Sequence, residues 1–97
     1  MEELINKTWK EAVVRAKKAN YDFLFLDGAF GYLIHQFLSP ISNLRTDKYG
    51  GSTKNRSLFL IELVESIRRV WEKPLFVRIA CVDNIGLFFN QFLIYFS

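Results

Sequence analysis

Residues 23–28 read FLFLDG, and residues 75–80 read LFVRIA. Residues 23–26 form an uninterrupted apolar run, which is typical of a strand that is covered on both faces in a parallel sheet, and residues 75–80 form a similar run with Arg78 inside it. We therefore predict buried strands over residues 23–26 and 75–80, and we expect Asp27 and Gly28 to break the first strand. Because a helical stretch separates the two strands, the order predicts a right-handed parallel crossover and an α/β fold.

A first helix is predicted before the crossover. The tetrapeptide from Thr8 to Glu11 fits a capping box, in which each side chain accepts a hydrogen bond from the other residue's backbone amide, so the helix should begin at Thr8. Asn20 can adopt the left-handed conformation that ends a helix. Apolar residues at spacings of three and four form the predicted buried face: Trp9, Ala12, Val13, Ala16 and Ala19.

A long loop and a second helix lie between the predicted strands. Residues 38–56 are rich in glycine, asparagine, serine and aspartate, which favour turns. A helix is predicted to begin near Ser52 or Thr53 and to end before Pro74. Its predicted buried face consists of Leu60, Ile61, Val64, Ile67 and Trp71. Residues 84–97 show no regular period, so we assign them no element and expect no third α/β unit there.

Composition limits the class of protein. The 97 residues are enough for one small domain. A hydrophobic fraction of 51% with 24% charged residues excludes general disorder. Thirteen lysines and arginines against ten acidic residues give a net charge of +3, and the two signs are interspersed. We therefore expect no nucleic-acid partner.

Several features favour a cytoplasmic protein. Cys81 is the only cysteine, so the fold must hold without an internal disulfide, which fits a reducing compartment. The N-terminus is acidic and lacks the apolar run of a signal peptide. The longest uncharged stretch, residues 84–97, is too short to span a membrane, so no membrane partner is expected. One histidine and one cysteine make no recognisable metal site.

Arg78 is the most informative polar residue, because a guanidinium inside an apolar strand is costly unless a partner meets it. The partner is either an acidic residue of the neighbouring strand or a bound anion or cofactor at the carboxyl end of the sheet. Asp27 ends the preceding strand, so it either shares a site with Arg78 or serves as a turn residue. Tyr32 either donates a proton there or buries its ring.

Two glycine pairs allow similar alternatives. Gly28 and Gly31 have the GxxG spacing of a nucleotide-clamping loop, although the residues around them are aromatic and acidic. Gly50 and Gly51, followed by Ser52, either place a phosphate at a helix N-terminus or simply make the turn that precedes the helix.

The loop itself carries a longer motif. Residues 31–40 read GYLIHQFLSP, and the loop continues with Ser42-Asn43, Arg45-Thr46-Asp47, Tyr49-Gly50-Gly51-Ser52 and Asn55-Arg56. This ordered string closely resembles the signature of the old yellow enzyme family, whose members are FMN-dependent NAD(P)H oxidoreductases that reduce activated alkenes. The resemblance covers residues 8–83, and residues 84–97 form a divergent apolar tail. It implies a partial TIM (β/α) barrel with a helix-strand-helix-strand order.

The resemblance also implies roles for individual residues. Arg78 matches the arginine that lies against the flavin, where it favours the negative charge of the reduced ring. Tyr32 matches the proton donor of many members. Asp27 and Phe30 stand where the family has a substrate-binding His pair, or a His and an Asn, so these two positions are matched while their residue types are not retained.

A fragment of an FMN-dependent ene reductase is therefore the function that the resemblance implies. An ionised Asp27 would repel the negative charge that develops on the substrate, and Phe30 has no donor, so we expect little activity. Because most of the barrel is missing, FMN should bind weakly or not at all to the isolated chain. One alternative is a non-catalytic module that associates with itself through open strand edges. The others are a pseudogene-type product and an α/β module whose barrel-like sequence reflects ancestry alone.

Overall fold

The computed structural model describes residues 3–29, 32–80 and 91–96. The described chain contains one π-helix, three α-helices and a three-stranded sheet in the order β1-β2-β3. In chain order these are the π-helix Leu4–Trp9, α1 (Lys10–Lys18), β1 (Leu24–Gly28), α2 (Leu33–Leu38), α3 (Thr53–Arg68), β2 (Leu75–Ala80) and β3 (Gln91–Phe96).

The parallel pairing of β1 with β2 confirms the predicted crossover and the α/β fold class. Leu24 lies opposite Leu75 at the start of the pairing, and Gly28 lies opposite Ile79 at its end. The bounds of β2 agree with the predicted strand. Ser52 caps α3 by accepting a hydrogen bond from the Asn55 amide, which confirms that this helix begins near Ser52 or Thr53.

The N-terminal helix does not begin at Thr8, so that prediction is wrong. The residues before Thr8 are already helical, and the chain enters α1 directly from the π-helix without a side-chain cap. A capping threonine needs an extended backbone, which an uninterrupted helix excludes. Ile5 is buried and Leu4 packs against the core, so tertiary burial extends the helix beyond its local signal. Asn20 does adopt the expected left-handed conformation, with φ of 63°.

The predicted buried face of the second helix is confirmed at Ile67 and Trp71, and Leu60 and Val64 are partly buried against the core, but the prediction is wrong at Ile61. Phe59, Leu63 and Ile67 are fully buried, whereas Ile61 is 48% exposed. Apolar residues surround much of this helix, so its sequence period does not define one face. The predicted face of α1 is also too wide, since Val13 is buried while its alanine neighbours at 12 and 19 are exposed.

The two faces of the sheet have different environments. Leu26, Leu75 and Val77 belong to the same core cluster as the buried residues of α3. The opposite face, which we call the open face, carries Phe23, Phe25, Asp27, Phe76 and Arg78. Phe23 is 54% exposed and Phe25 is 44% exposed. The expectation that these strands are covered on both faces is therefore wrong for β1, because the described helices cover only one side of the sheet.

The third strand was not predicted. β3 pairs antiparallel with β2, so that Phe96 lies opposite Leu75 and Gln91 lies opposite Ala80. Cys81 and residues 84–90 of the predicted tail lie outside the described residues. Among the described strands, β1 pairs only with β2, which leaves the other edge of β1 open.

In the part of the chain that the structure describes, no helix is long and apolar enough to cross a membrane.

The observed core gives a test of the α3 face. Leu63→Ala should lower the free energy of unfolding by about 3 kcal/mol, because it empties a fully buried site. Ile61→Ala, on the same helix, should cost about 1 kcal/mol or less because half of its side chain already meets water. Urea unfolding of both variants measures the difference. Equal losses, or a larger loss for Ile61→Ala, would contradict the observed difference in burial.

Candidate functional site

Asp27 and Arg78 form an ion pair on the open face. They are directly opposite each other in the parallel register of β1 and β2. The Arg78 Nη2 atom donates to Asp27 Oδ2 at 3.0 Å, and about a third of each side chain is exposed. A pair in this setting is held by charge and by a defined hydrogen bond rather than by charge alone. The acidic residue of the neighbouring strand, one of the two partners predicted for Arg78, is thus Asp27.

The second carboxylate oxygen of Asp27 is also engaged. Asp27 Oδ1 accepts a hydrogen bond from the backbone amide of Ala29 at 3.1 Å. This is the local turn contact that aspartate favours, and it fixes the carboxylate group at both oxygens. Both of the alternatives weighed for Asp27 therefore apply, since it makes a turn and shares a site with Arg78.

Gly28 is the last residue of β1 and still pairs with β2. A Cβ atom at position 28 would lie 2.7 Å from the carbonyl oxygen of Arg78 and 3.2 Å from the Ile34 side chain. Only glycine permits this approach of the two strands. The expectation that Asp27 and Gly28 break the strand is therefore wrong, because both residues pair with β2.

Aromatic rings form the rest of the open face. The guanidinium carbon of Arg78 lies 5.2 Å from the centre of the Phe25 ring, within the range of a cation–π contact. The rings of Phe23 and Phe76 meet edge to face, 5.7 Å apart. Beside them is an open cavity of about 520 Å³, which is lined by Asp22, Phe23, Phe25, Pro74 and Phe76. Asp27 and Arg78 are not among the lining residues, so the cavity can hold a flat apolar group beside the phenylalanine rings, toward the amino end of the strands.

Tyr32 lies just beyond the carboxyl end of β1, at the residue that precedes α2. Its backbone is extended, its amide donates to the Ala29 carbonyl, and the residue is 62% exposed. The role of Tyr32 as a proton donor remains a prediction. Phe30 and Gly31 lie outside the described residues, so the position predicted for substrate binding and the GxxG loop have no structural description.

Residues of the loop motif hold the loop together through hydrogen bonds. Asn43, which is buried, donates through its amide nitrogen to the carbonyl oxygens of Phe37 at 2.6 Å and Tyr49 at 2.8 Å. It thereby joins the end of α2 to the far side of the loop. Arg45 donates to Asp47 through Nε at 3.0 Å, and this hydrogen bond is the main cause that lowers the pKa of the Asp47 carboxyl below its usual value.

The glycine pair is explained by the turn before α3. A Cβ atom on Gly50 would lie 2.3 Å from the Arg45 carbonyl oxygen, and Gly51 has φ of 97°, so both positions require glycine. The Gly50 carbonyl accepts from Asn55 and the Gly51 carbonyl accepts from Arg56. These contacts support the turn, which was the simpler of the two predicted explanations.

Sequence reasoning missed the ring of Phe25 and the amide of Ala29 as parts of the site. The two-residue period of a strand places residues 25 and 27 on one face, so Phe25 could have been found from the strand alone. The contact of Ala29 depends on the turn geometry, which the sequence does not specify. Across the described residues, no group of three His, Cys, Asp or Glu side chains could hold a metal ion.

Comparison with known proteins gives a consistent picture. The sequence profile of the NADH:flavin oxidoreductase / NADH oxidase family matches residues 1–89. The chain is 52% identical over 75 residues to the NADPH dehydrogenase of Bacillus subtilis (strain 168), which covers 77% of this chain and 22% of the relative. It is 52% identical over 80 residues to the NADPH dehydrogenase of Clostridium acetobutylicum, covering 80% of this chain and 24% of the relative.

Solved structures show the same similarity at the level of the fold. Histamine dehydrogenase from Rhizobium sp. 4-9 superposes with a TM-score of 0.79 and 36% identity, over 87% of this chain and 13% of that one. Morphinone reductase in complex with tetrahydroNAD superposes with a TM-score of 0.67 and 38% identity, over 72% of this chain and 20% of that one. Both are TIM-barrel oxidoreductases, which confirms the predicted partial barrel. The chain spans less than a quarter of the length of these proteins.

The ion pair should be measurable by a double-mutant cycle. Asp27→Asn and Arg78→Met should show a coupling free energy of about 0.5 to 1 kcal/mol in urea unfolding, because the pair is only partly exposed to solvent. The matched control is the pair Lys17 and Glu72, whose side chains are 49% and 65% exposed and whose coupling should be close to zero. Additive effects of the Asp27 and Arg78 changes would contradict the geometry.

Proposed function

The chain belongs to the NADH:flavin oxidoreductase / NADH oxidase family, and from this we propose that it is a segment of an FMN-dependent NAD(P)H oxidoreductase of the ene reductase type. Membership confirms the resemblance to the old yellow enzymes. The two curated relatives described above are NADPH dehydrogenases, which favours NADPH as the reductant. An activated alkene is the proposed electron acceptor, and a cytoplasmic location is part of the same proposal.

One observation carries this proposal. The open face brings Arg78 and Asp27 together at the carboxyl half of a parallel pair, and the start of α2 with Tyr32 follows directly. Barrel enzymes of this class assemble their active sites at that end of the strands. We assign Arg78 to the flavin, Tyr32 to proton donation, and the positions of Asp27 and Phe30 to the substrate.

FMN would supply hydride transfer, yet the described residues do not fit it by themselves. Asp27 already engages the Arg78 guanidinium that would face the ring. We therefore expect weak or absent FMN binding in the isolated chain.

The charge at position 27 also argues against catalysis by this chain. A substrate that accepts hydride develops negative charge on its carbonyl oxygen, and an enzyme must place donors there. Asp27 contributes a carboxylate whose oxygens both accept hydrogen bonds, so it offers that oxygen no donor. The phenyl ring of Phe30 has no donor either. The chain is accordingly proposed to be inactive in isolation.

A second candidate is favoured by the sheet edge. Within residues 3–29, 32–80 and 91–96, β1 has a partner strand on one side only, and its Phe23 and Phe25 rings are exposed. An open edge with apolar side chains tends to pair with another chain. The alternative function is therefore a non-catalytic module that associates with itself or with another barrel segment.

Flavin binding tests the main proposal. The purified chain should be colourless, and titration should leave FMN fluorescence unchanged at about micromolar concentration, because one charge-compensated arginine cannot replace the contacts of a whole barrel. NADPH consumption with an activated alkene should stay at the buffer rate. The NADPH dehydrogenase of Bacillus subtilis, assayed in parallel, provides the control for NADPH oxidation.

A yellow stoichiometric complex would contradict the expected weak binding of FMN, and NADPH consumption above the buffer rate would contradict the proposed inactivity of the isolated chain. Sedimentation of the same sample separates the two candidates. A monomer that binds no flavin fits an isolated segment of an oxidoreductase, whereas a stable dimer or larger assembly favours the self-associating module.

A further inference from the structure

β3 covers the edge of β2 that faces away from β1. It pairs antiparallel along the whole length of β2, from Leu75 opposite Phe96 to Ala80 opposite Gln91. The family profile matches residues 1–89, so β3 lies entirely outside the segment that the chain shares with its family. The edge of β2 is therefore covered by a strand that is not part of the shared segment.

The same edge has a different neighbour in a β/α barrel. A TIM barrel closes through eight parallel strands, so the next strand in the barrel must pair with β2 in parallel. The pairing of β1 with β2 follows this rule, and the pairing of β3 with β2 does not. Because the backbone groups along one edge bond one neighbouring strand, β3 and a parallel barrel strand exclude each other at β2.

The direction of the backbone groups follows from one hydrogen bond. The Leu24 amide donates to the Pro74 carbonyl, and Leu24 lies opposite Leu75 in the register. In a parallel pair this directs the backbone groups of the even-numbered residues of β2 toward β1. The odd-numbered residues, among them Val77 and Ile79, therefore direct their amides and carbonyls toward β3.

We propose that β3 closes the sheet against completion of the barrel, because it occupies the edge of β2 at which the next parallel strand would pair. A second copy of the chain is the partner that this edge would otherwise accept. Its β1 strand pairs in parallel with β2 within the chain, and the other edge of β1 is open among the described strands. The inference rests on family membership and on the strand pairing, and it uses none of the residues assigned to flavin, proton donation or substrate.

The pairing itself is measured by NMR on the unchanged chain. Arg78 and Leu93 are opposite each other without mutual hydrogen bonds, so their α-hydrogens should give a strong mutual contact. The amides of Val77 and Ile79 should exchange slowly with solvent because they donate to β3. Absence of the contact, or fast exchange of these two amides, would overturn the proposal.

Ile94→Pro should open the edge. Ile94 lies opposite Val77, so its amide faces β2 and proline removes a donor from the ladder. Exchange at Val77 and Ile79 should accelerate by about tenfold or more, while the Phe76 amide, which faces β1, stays protected and shows that the variant is folded. Leu93→Pro is the matched control, because the Leu93 amide faces away from β2 and its loss should leave both exchange rates unchanged.

The opened edge should then recruit a second copy. Because β1 of that copy can pair in parallel with the exposed β2, Ile94→Pro should sediment as larger, concentration-dependent species than the unchanged chain or Leu93→Pro. Phe25 alternates with Leu24, so its amide faces the open edge of β1. Adding Phe25→Pro to Ile94→Pro should therefore remove the increase in size.

Every other result counts against the proposal. It is overturned if Ile94→Pro leaves Val77 and Ile79 protected, if Leu93→Pro exposes them equally, or if the exposed edge brings no larger species. It is also overturned if Phe25→Pro leaves the larger species in place, or if Phe76 loses protection in Ile94→Pro, because β3 would then hold the fold instead of closing its edge. No flavin is present in these experiments, so the FMN titration succeeds or fails independently of them.

Discussion

The parallel register of β1 against β2 is the constraint on which the rest of this structure depends. It places Asp27 opposite Arg78, so that an arginine within an apolar strand is met by a charge from its own chain. The same register brings the two backbones so close at Gly28 that a side chain there would strike the Arg78 carbonyl. The connection from β1 to β2 runs through α3, which packs on one face of the sheet. The opposite face of the sheet stays open.

The contacts made by the family signature in this chain serve the fold. The motif residues at Asn43, Gly50 and Arg56 make contacts that hold the loop and the start of α3, and such contacts are needed by the fold whether or not the protein is an enzyme. The positions proposed to meet the substrate hold Asp27 and Phe30. High identity to NADPH dehydrogenases therefore reflects a retained scaffold, and it says less about the groups that would meet a substrate.

Sequence reasoning succeeded where a local signal and the tertiary structure agree. The bounds of β2, the Ser52 cap and the left-handed Asn20 belong to this class. It failed where packing decides: Leu4 and Ile5 extend the first helix past its capping motif. In α3, Ile67 was predicted correctly, but Ile61 was placed in the core and the buried Phe59 and Leu63 were missed. Both partners proposed for Arg78 were chemically reasonable, and the register of the strands identifies the acidic one as Asp27.

A crystal structure of the chain, at a resolution that defines side-chain rotamers, tests the central claim most directly. The quantity to measure is the distance from Arg78 Nη2 to Asp27 Oδ2. The account predicts hydrogen-bond contact near 3.0 Å, with the second Asp27 oxygen on the Ala29 amide. An Arg78 side chain that turns away to solvent or to another anion, with Asp27 left out of reach, would contradict it.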